Sequence, residues 1–143
     1  MANVFDVAQF ILAKCGRIPA LKLQKLVYYC QVWSLVWDEK PLFNEKIEAW
    51  ANGPVVRELY DEHKGSFWVE KLSKGNPNAL SKEQVETIMA VLEFYGNRPS
   101  QWLSDLTHSE NPWKEARKGL EDGERGTREI TLASMAEYYE SLQ

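Results

Sequence analysis

The chain has 143 residues, of which 44% are hydrophobic and 27% are charged, and its formal net charge is -4. This composition excludes a chain that is disordered throughout, because enough apolar side chains are present to offset the entropy of ordering the backbone. The length fits a single domain over residues 1–143. The excess of acidic residues makes nucleic acid an unfavourable partner, because a phosphate backbone is bound by clustered cations.

Several classes of protein lack support in the sequence. The two cysteines and two histidines are too few and too scattered for a zinc site. No stretch approaches the ~18 apolar residues of a membrane-spanning helix, and the first residues lack the features of a signal peptide. No phosphate-binding glycine loop, dinucleotide fingerprint, HExxH or GxSxG motif is present. We therefore expect a cytoplasmic protein with no cofactor and no metal.

The first part of the chain predicts two helices. Apolar residues at helical spacing predict one from Asn3 or Asp6 to Lys14, with Gly16 ending it. The second spans residues 21–37 and is apolar around most of its circumference, which is typical of a helix surrounded by other elements. We expect it to be the central buried helix. Its narrow polar stripe consists of Lys22, Gln24, Lys25, Gln31 and Ser34.

The stretch from residue 42 to residue 80 mixes strand, helix and loop signals. Residues 42–50 alternate loosely and predict one or two short strands. At the Asn52-Gly53-Pro54 corner, Gly53 favours an unusual backbone conformation, and Pro54 favours the start of a helix that runs to about Lys64. Residues 65–80 have the composition of a loop. We expect its apolar residues to anchor it to the core: Phe67, Trp68, Val69 and Leu72.

Capping signals mark the remaining helices. A capping box at Ser81 to Gln84 opens a helix that runs to Tyr95. Further helices are predicted to start at the caps Ser100, Asn111 and Thr131, with a short extended piece at residues 129–131 before the last one, which runs from residue 132 to 142. The predicted fold is mainly α: a compact helical domain around a central buried helix, with short β-strands near residues 42–50 and 129–131.

His108 is the strongest catalytic candidate among the residues. Together with Asp105 or Glu110 and a cysteine such as Cys30, it would form a nucleophilic pair. We favour the alternative that His108 hydrogen-bonds backbone at a helix junction, because nothing else completes a catalytic set. A DNA-reading helix-turn-helix at residues 17–25 has little support, since the helix that follows is too apolar to reach base edges.

The aromatic residues provide the remaining signal. We expect Trp68, in a loop between polar residues, to be exposed. The corner at residues 50–57 combines a fixed backbone, apolar side chains and a charge, as partner-binding segments often do. The tryptophans expected in the core are Trp33, Trp37, Trp50, Trp102 and Trp113. The candidate partner-binding residues are Trp50, Asn52, Val55, Arg57 and Trp68.

Three blocks of the sequence resemble one known family. The first block is LKLQKLVYYCQVW at residues 21–33. The second joins PLF at residues 41–43 to IEAWANGPVVRELY at residues 47–60. The third joins LSDLTH at residues 103–108 to PWKEAR at residues 112–117. In this order they resemble the Panacea domain of SocA-like antitoxins and phage-associated GepA-like proteins.

The resemblance implies a bacterial or prophage antitoxin that neutralises a cognate toxin protein by direct protein–protein binding, without enzymatic activity. In one branch of the family the antitoxin is instead a proteolytic adaptor that delivers its toxin to the ClpXP protease. The alternatives from other classes are a small His108-dependent hydrolase and a nucleic-acid-binding regulator. An acidic protein suits a toxin whose active site is basic.

Overall fold

The computed structural model describes residues 2–143, which form seven α-helices and five short strands. The chain is therefore mainly α, as predicted. A π-helical turn, Ser34–Asp38, extends the second helix, and a 3-10 turn covers Pro77–Ala79. The helices are α1 (Val4–Cys15), α2 (Ala20–Trp33), α3 (Arg57–His63), α4 (Lys82–Tyr95), α5 (Ser100–Ser109), α6 (Asn111–Ala116) and α7 (Leu132–Glu140). The strands are β1 (Ile18–Pro19), β2 (Ile47–Trp50), β3 (Gly53–Val56), β4 (Trp68–Val69) and β5 (Glu129–Ile130).

Helix α2 is the centre of the core, which confirms the prediction from its apolar pattern. It contacts α1, α4, α5, α7 and β3. Leu23, Leu26 and Val27 on this helix are fully buried. Residues from both ends of the described chain, such as Ile11 in α1 and Met135 in α7, belong to the same apolar cluster. The first and last helices thus cover the central one.

Most of the polar stripe of α2 and the π-helical turn that follows it is buried, and the glutamines of this stripe bind backbone. Gln24, Lys25, Gln31 and Ser34 each expose 2% or less of their surface. The Oε1 atom of Gln31 accepts a hydrogen bond from the Leu42 amide at 2.7 Å, and its Nε2 atom donates to the Phe43 carbonyl at 2.8 Å. Because buried backbone groups need hydrogen-bond partners, Gln31 stabilises a segment that runs past the core without strand pairing.

Two small antiparallel sheets connect the helices. In one of them β2 lies between β3 and β5, so that Glu48 is opposite both Val55 and Glu129. In the other, β1 pairs with β4, and Ile18 is opposite Val69. Strands β2 and β5 confirm the two strand regions that the sequence predicts, although β2 covers only the second half of residues 42–50.

The segment after the Asn52-Gly53-Pro54 corner is a strand, so the prediction of a helix starting at Pro54 is wrong. Pro54 lies in β3 opposite Ala49, and α3 begins only at Arg57. Pairing with β2 satisfies backbone groups of this segment in the extended form, and this outweighs the preference of proline for the first turn of a helix. Gly53 has a φ of +124°, which confirms that the corner uses a conformation suited to glycine.

Some other predicted details are wrong. Residues 65–80 are not entirely loop, because β4 and the 3-10 turn lie within them. Val69 and Leu72 are buried as expected, but Phe67 and Trp68, which were also expected to anchor the loop to the core, are 67% and 48% exposed. Helices α5 and α6 include Ser100 and Asn111 as their first residues, so neither side chain is the cap. The predicted caps at Ser81 and Thr131 are confirmed.

The tryptophans are less buried than the sequence predicts. Of the five expected in the core, Trp113 is buried, whereas Trp33 and Trp50 are only partly buried. Trp37 and Trp102 are exposed by 45% and 36%. Helix α2 ends at Trp33, and the wider π-helical turn that follows it leaves Trp37 at the surface. The exposed tryptophans are thus surface features that helical periodicity alone does not identify.

Candidate partner-binding site

The hairpin formed by β2 and β3, residues 47–56, is held by side chains from α6 and the residue that follows it. The Arg117 guanidinium donates to the Ala49 carbonyl at 3.1 Å. The Trp113 indole donates to the Trp50 carbonyl at 2.8 Å. Arg117 also lies over the Trp113 ring, 5.2 Å from its centroid. Both anchoring residues belong to the third sequence block.

Helix α2 holds the other strand of the hairpin. The Nζ atom of Lys25 donates to the Pro54 carbonyl at 3.4 Å. Gln24 accepts a hydrogen bond from the Val56 amide at 2.9 Å and donates to the Val56 carbonyl at 3.3 Å. Gln24 and Lys25 belong to the first block. The three blocks that carry the family resemblance therefore meet at this hairpin, which lies within the second block.

Lys25 lies directly beneath the corner. It is fully buried, and burial lowers its pKa to about 8. A Cβ atom at position 53 would lie 2.5 Å from the Cε atom of Lys25. The glycine therefore provides both the backbone conformation and the space that the buried lysine occupies.

His108 packs under the same corner, in contact with Trp113 and the backbone of Asn52. Its ring is stacked on Trp113, with centroids 4.1 Å apart. Burial lowers the pKa of His108, and a hydrogen bond with the backbone of Asn52 offsets only part of this effect. The Nε2 atom of His108 is buried and has no hydrogen-bond partner among residues 2–143. The backbone that this histidine contacts is thus that of the hairpin, rather than that of the helix junction.

The other members of the suggested catalytic set have different partners. Asp105 accepts a hydrogen bond from the Gln101 side chain at 2.8 Å. Glu110 accepts hydrogen bonds from tyrosine hydroxyls in the core. Cys30 is fully buried, and burial raises the pKa of its thiol, which disfavours the nucleophilic thiolate. The side chains proposed for a nucleophilic pair are therefore not assembled in this structure.

A groove of about 570 Å³ lies along the hairpin. Its volume is within the range of about 300–1,000 Å³ that is common for binding sites. Further lining residues come from the start of α2, the end of α3 and the loop before β5. Four of the five predicted partner-binding residues line it: Trp50, Asn52, Val55 and Arg57. Asn52 and Arg57 are exposed, whereas Val55 is 3% exposed.

Trp50 is held in place by charged and aromatic neighbours. Its indole donates to Glu48 at 2.8 Å, and the Arg57 guanidinium, 5.2 Å from the Trp50 ring centroid, donates to both oxygens of the same carboxylate. Burial disfavours ionisation of Glu48, but the hydrogen bonds from Arg57 and Trp50 outweigh it and lower the pKa. The Tyr60 ring meets Trp50 edge-on at 4.8 Å. This part of the groove is therefore preformed.

The groove also contains a neutral histidine. His63 is buried, and burial lowers its pKa. The Nε2 atoms of Gln24 and His63 are 3.0 Å apart. Because the Gln24 amide oxygen accepts from Val56, its nitrogen faces His63 and donates to it, which assigns the histidine proton to Nδ1. The groove is thus joined to the core through uncharged hydrogen bonds.

Phe67 and Trp68 form an exposed apolar edge, here called the Phe67–Trp68 rim. Phe67 lines the groove, whereas Trp68, the fifth predicted residue, lies next to it without lining the groove. Trp68 is 48% exposed, which agrees with the expectation from its polar sequence neighbours and not with a role as a core anchor. Its ring is 5.1 Å from that of Phe67 and 4.8 Å from the Arg17 guanidinium. No periodic pattern in the sequence distinguishes the exposed Phe67 from Val69 and Leu72, which are buried.

The chain belongs to an antitoxin family. The model of that family, Antitoxin SocA-like, Panacea domain, matches residues 23–114, which is more than half of the chain. The match confirms the family that the three sequence blocks predict. No curated protein and no solved structure is significantly similar to the chain.

No helix within residues 2–143 is long and apolar enough to cross a membrane. Among the same residues, no group of three or more histidine, cysteine, aspartate or glutamate side chains is arranged to hold a metal ion.

Proposed function

We propose that the chain neutralises a cognate toxin by direct protein–protein binding, and that residues 1–143 act as one domain without catalysis. The proposed contact surface is the hairpin groove with the Phe67–Trp68 rim. It includes Trp50, Asn52, Val55, Arg57 and Trp68. The observation that carries the proposal is that the sequence blocks typical of this antitoxin family converge on the hairpin that lines the groove.

The chemistry of the surface supports this role. Binding energy at protein interfaces is concentrated in a few tryptophan, tyrosine and arginine residues. The groove presents Trp50, Arg57 and Tyr60, and their mutual contacts limit the entropy that binding removes. Val55 contributes apolar floor rather than a projecting anchor, because it is almost completely covered.

Co-expression with the neighbouring reading frame tests the function. Expressed alone, the product of that frame is expected to arrest growth, and co-expression of this chain is expected to restore it. The two purified proteins should co-elute in size-exclusion chromatography. If the neighbouring product is harmless, or if the two proteins form no complex and growth is not restored, the proposal is wrong.

A matched pair of phenylalanines tests the surface. Phe67 and Phe94 are exposed by 67% and 56%, but only Phe67 of the two lines the groove. Phe67→Ala should weaken the complex by about tenfold, which corresponds to about 1.4 kcal/mol, and Phe94→Ala should leave it unchanged. The opposite ranking would place the interface on another face.

Delivery to ClpXP is the alternative mechanism within the family. It predicts that toxin disappears from cells that contain the protease. Direct inhibition predicts that toxin persists in a complex. Toxin levels and growth in strains with and without ClpXP therefore separate the two mechanisms.

A further inference from the structure

The charged residues of the groove are opposite in sign to the chain as a whole. The chain carries a net charge of -4. Arg57, Lys64 and Arg125 line the groove, whereas no aspartate or glutamate of residues 2–143 does. The groove is therefore a basic strip on an acidic protein. This differs from the sequence-based expectation that the partner presents a basic surface.

Two of these cations are available to a partner. Arg57 forms an ion pair with Glu48 at 3.0 Å. In contrast, the side chains of Lys64 and Arg125 are exposed and form no hydrogen bond or ion pair with any other residue of the described range 2–143. A carboxylate that enters the groove can pair with them without breaking a contact within the chain.

We propose that the groove binds a short acidic segment of the cognate toxin. Its carboxylates pair with Lys64 and Arg125, and an apolar side chain of the same segment packs against Trp50, Tyr60 and Phe67. This inference rests on the proposed antitoxin function and identifies the chemistry of the partner at that site. The toxin therefore presents an acidic segment to this groove, whatever the charge of its active site.

The surroundings of the groove favour a short peptide over nucleic acid. Glu58 and Asp61 on α3 are exposed, as are Glu121, Asp122 and Glu124 in the loop that contains Arg125. A long polyanion would meet these carboxylates beyond the groove and be repelled. A short segment that stays within the groove of about 570 Å³ can pair with Lys64 and Arg125 without extending along these carboxylates.

Peptide binding tests the inference without the toxin. The probe is a labelled peptide in which glutamates surround one leucine, and its counterparts carry glutamine or lysine in place of glutamate. The wild-type chain should bind the glutamate peptide at least about tenfold more tightly than the glutamine peptide, and added salt should weaken this binding. A labelled oligothymidylate of similar length serves as the nucleic-acid probe.

Charge-reversal variants locate the binding site. Lys64→Glu combined with Arg125→Glu should weaken binding of the glutamate peptide by about tenfold or more. Lys46→Glu combined with Lys82→Glu changes the net charge equally at exposed positions outside the groove, and should bind as the wild type does. Thermal denaturation verifies that each variant is folded. If the double variant with Lys64→Glu and Arg125→Glu is unfolded, the double variant with Lys64→Gln and Arg125→Gln is used instead.

The outcomes separate this inference from the proposed function. The inference is wrong if the glutamate peptide binds no better than the glutamine peptide, if both double variants bind it alike, or if oligothymidylate binds more tightly. It is also wrong if the groove variant retains wild-type affinity for the toxin, although the antitoxin function then stands. The inference is supported if the groove variant loses toxin binding while the control variant with Lys46→Glu and Lys82→Glu retains it. If the wild-type chain neither binds nor neutralises the toxin, the antitoxin proposal itself is wrong.

Discussion

The hydroxyl of Tyr29 donates a hydrogen bond to the Glu110 carboxylate at 2.6 Å. The same carboxylate oxygen accepts a second hydrogen bond from Tyr139 at 2.7 Å. Tyr29 lies in the central helix, Glu110 lies at the junction of α5 and α6, and Tyr139 belongs to α7. The buried carboxylate thus connects the last helix, which lies outside the family match to residues 23–114, to the central helix.

This network predicts a pH-dependent contribution to stability. Burial raises the pKa of Glu110 above its ordinary value of 4.5, and the tyrosine hydrogen bonds offset only part of this effect. Between pH 4.5 and the raised pKa of Glu110, the folded state binds more protons than the unfolded state. The contribution of Glu110 to the free energy of unfolding is therefore greatest below pH 4.5 and is lost as the pH rises through the folded-state pKa.

The Glu110→Gln variant lacks this titration and keeps an oxygen that accepts from both tyrosines. As pH rises, the free energy of unfolding of the wild type should therefore fall relative to that of the variant, measured by urea denaturation at a series of pH values. Glu110→Leu should cost about 1–3 kcal/mol or more, because the Tyr29 hydroxyl loses its acceptor. Parallel pH profiles of the wild type and the glutamine variant would contradict the assigned pKa direction.

Lys25→Met is expected to stabilise the protein at neutral pH. The folded-state pKa of Lys25 is about 8, against an ordinary value of 10.5, because the buried ammonium is poorly solvated. Its charge therefore destabilises the fold fully below pH 8, and the cost declines as pH rises toward 10.5. We expect the variant to gain about 1–3 kcal/mol at pH 7, with a smaller gain at pH 9. A variant that is less stable than the wild type at pH 7 would show that the ammonium contributes net stability.

Gly53→Ala should be more destabilising than Gly16→Ala. Both glycines have positive φ, but a Cβ atom at position 16 meets nothing within 4 Å, whereas one at position 53 lies 2.5 Å from Lys25. We expect a loss of about 1–2 kcal/mol for Gly16→Ala, from backbone strain, and about 2–4 kcal/mol for Gly53→Ala, from strain and crowding together. Chemical denaturation measures both losses.

A double-mutant cycle isolates the crowding. In the Lys25→Ala background, the additional cost of Gly53→Ala should fall by more than about 0.5 kcal/mol, because the lysine no longer occupies the space. The backbone strain at position 53 remains in both backgrounds. Equal costs in the two backgrounds would mean that the lysine side chain moves aside freely.

Trp68→Ala should speed dissociation from the toxin by about tenfold without disrupting the fold. Trp102 is a matched control, since both tryptophans are partly exposed and lie near an arginine, Arg17 or Arg98, at 4.8 Å and 4.5 Å. Trp102 lies outside the proposed surface, so Trp102→Ala should dissociate as the wild type does. Surface plasmon resonance measures both rates, and raised salt should mainly slow association. Wild-type dissociation by the Trp68 variant would remove Trp68 from the interface.

The sequence alone determined the features that depend on neighbouring residues. The caps of α4 and α7 are contacts between residues three positions apart, Ser81 with Gln84 and Thr131 with Ser134, so the local pattern specifies them. The central position of α2 follows from its apolar circumference. The requirement for glycine at position 53 likewise follows from a corner next to a proline.

Tertiary contacts decided what the local pattern left open. Pro54 lies in a strand because β2 pairs with it, and Gln24 is buried because Val56 supplies its hydrogen bonds from 32 residues away. Lys64 and Arg125 line one groove although they are far apart in sequence. Sequence periodicity reports which face of an element is apolar, whereas pairing and groove formation depend on which distant backbone groups and side chains the fold brings together.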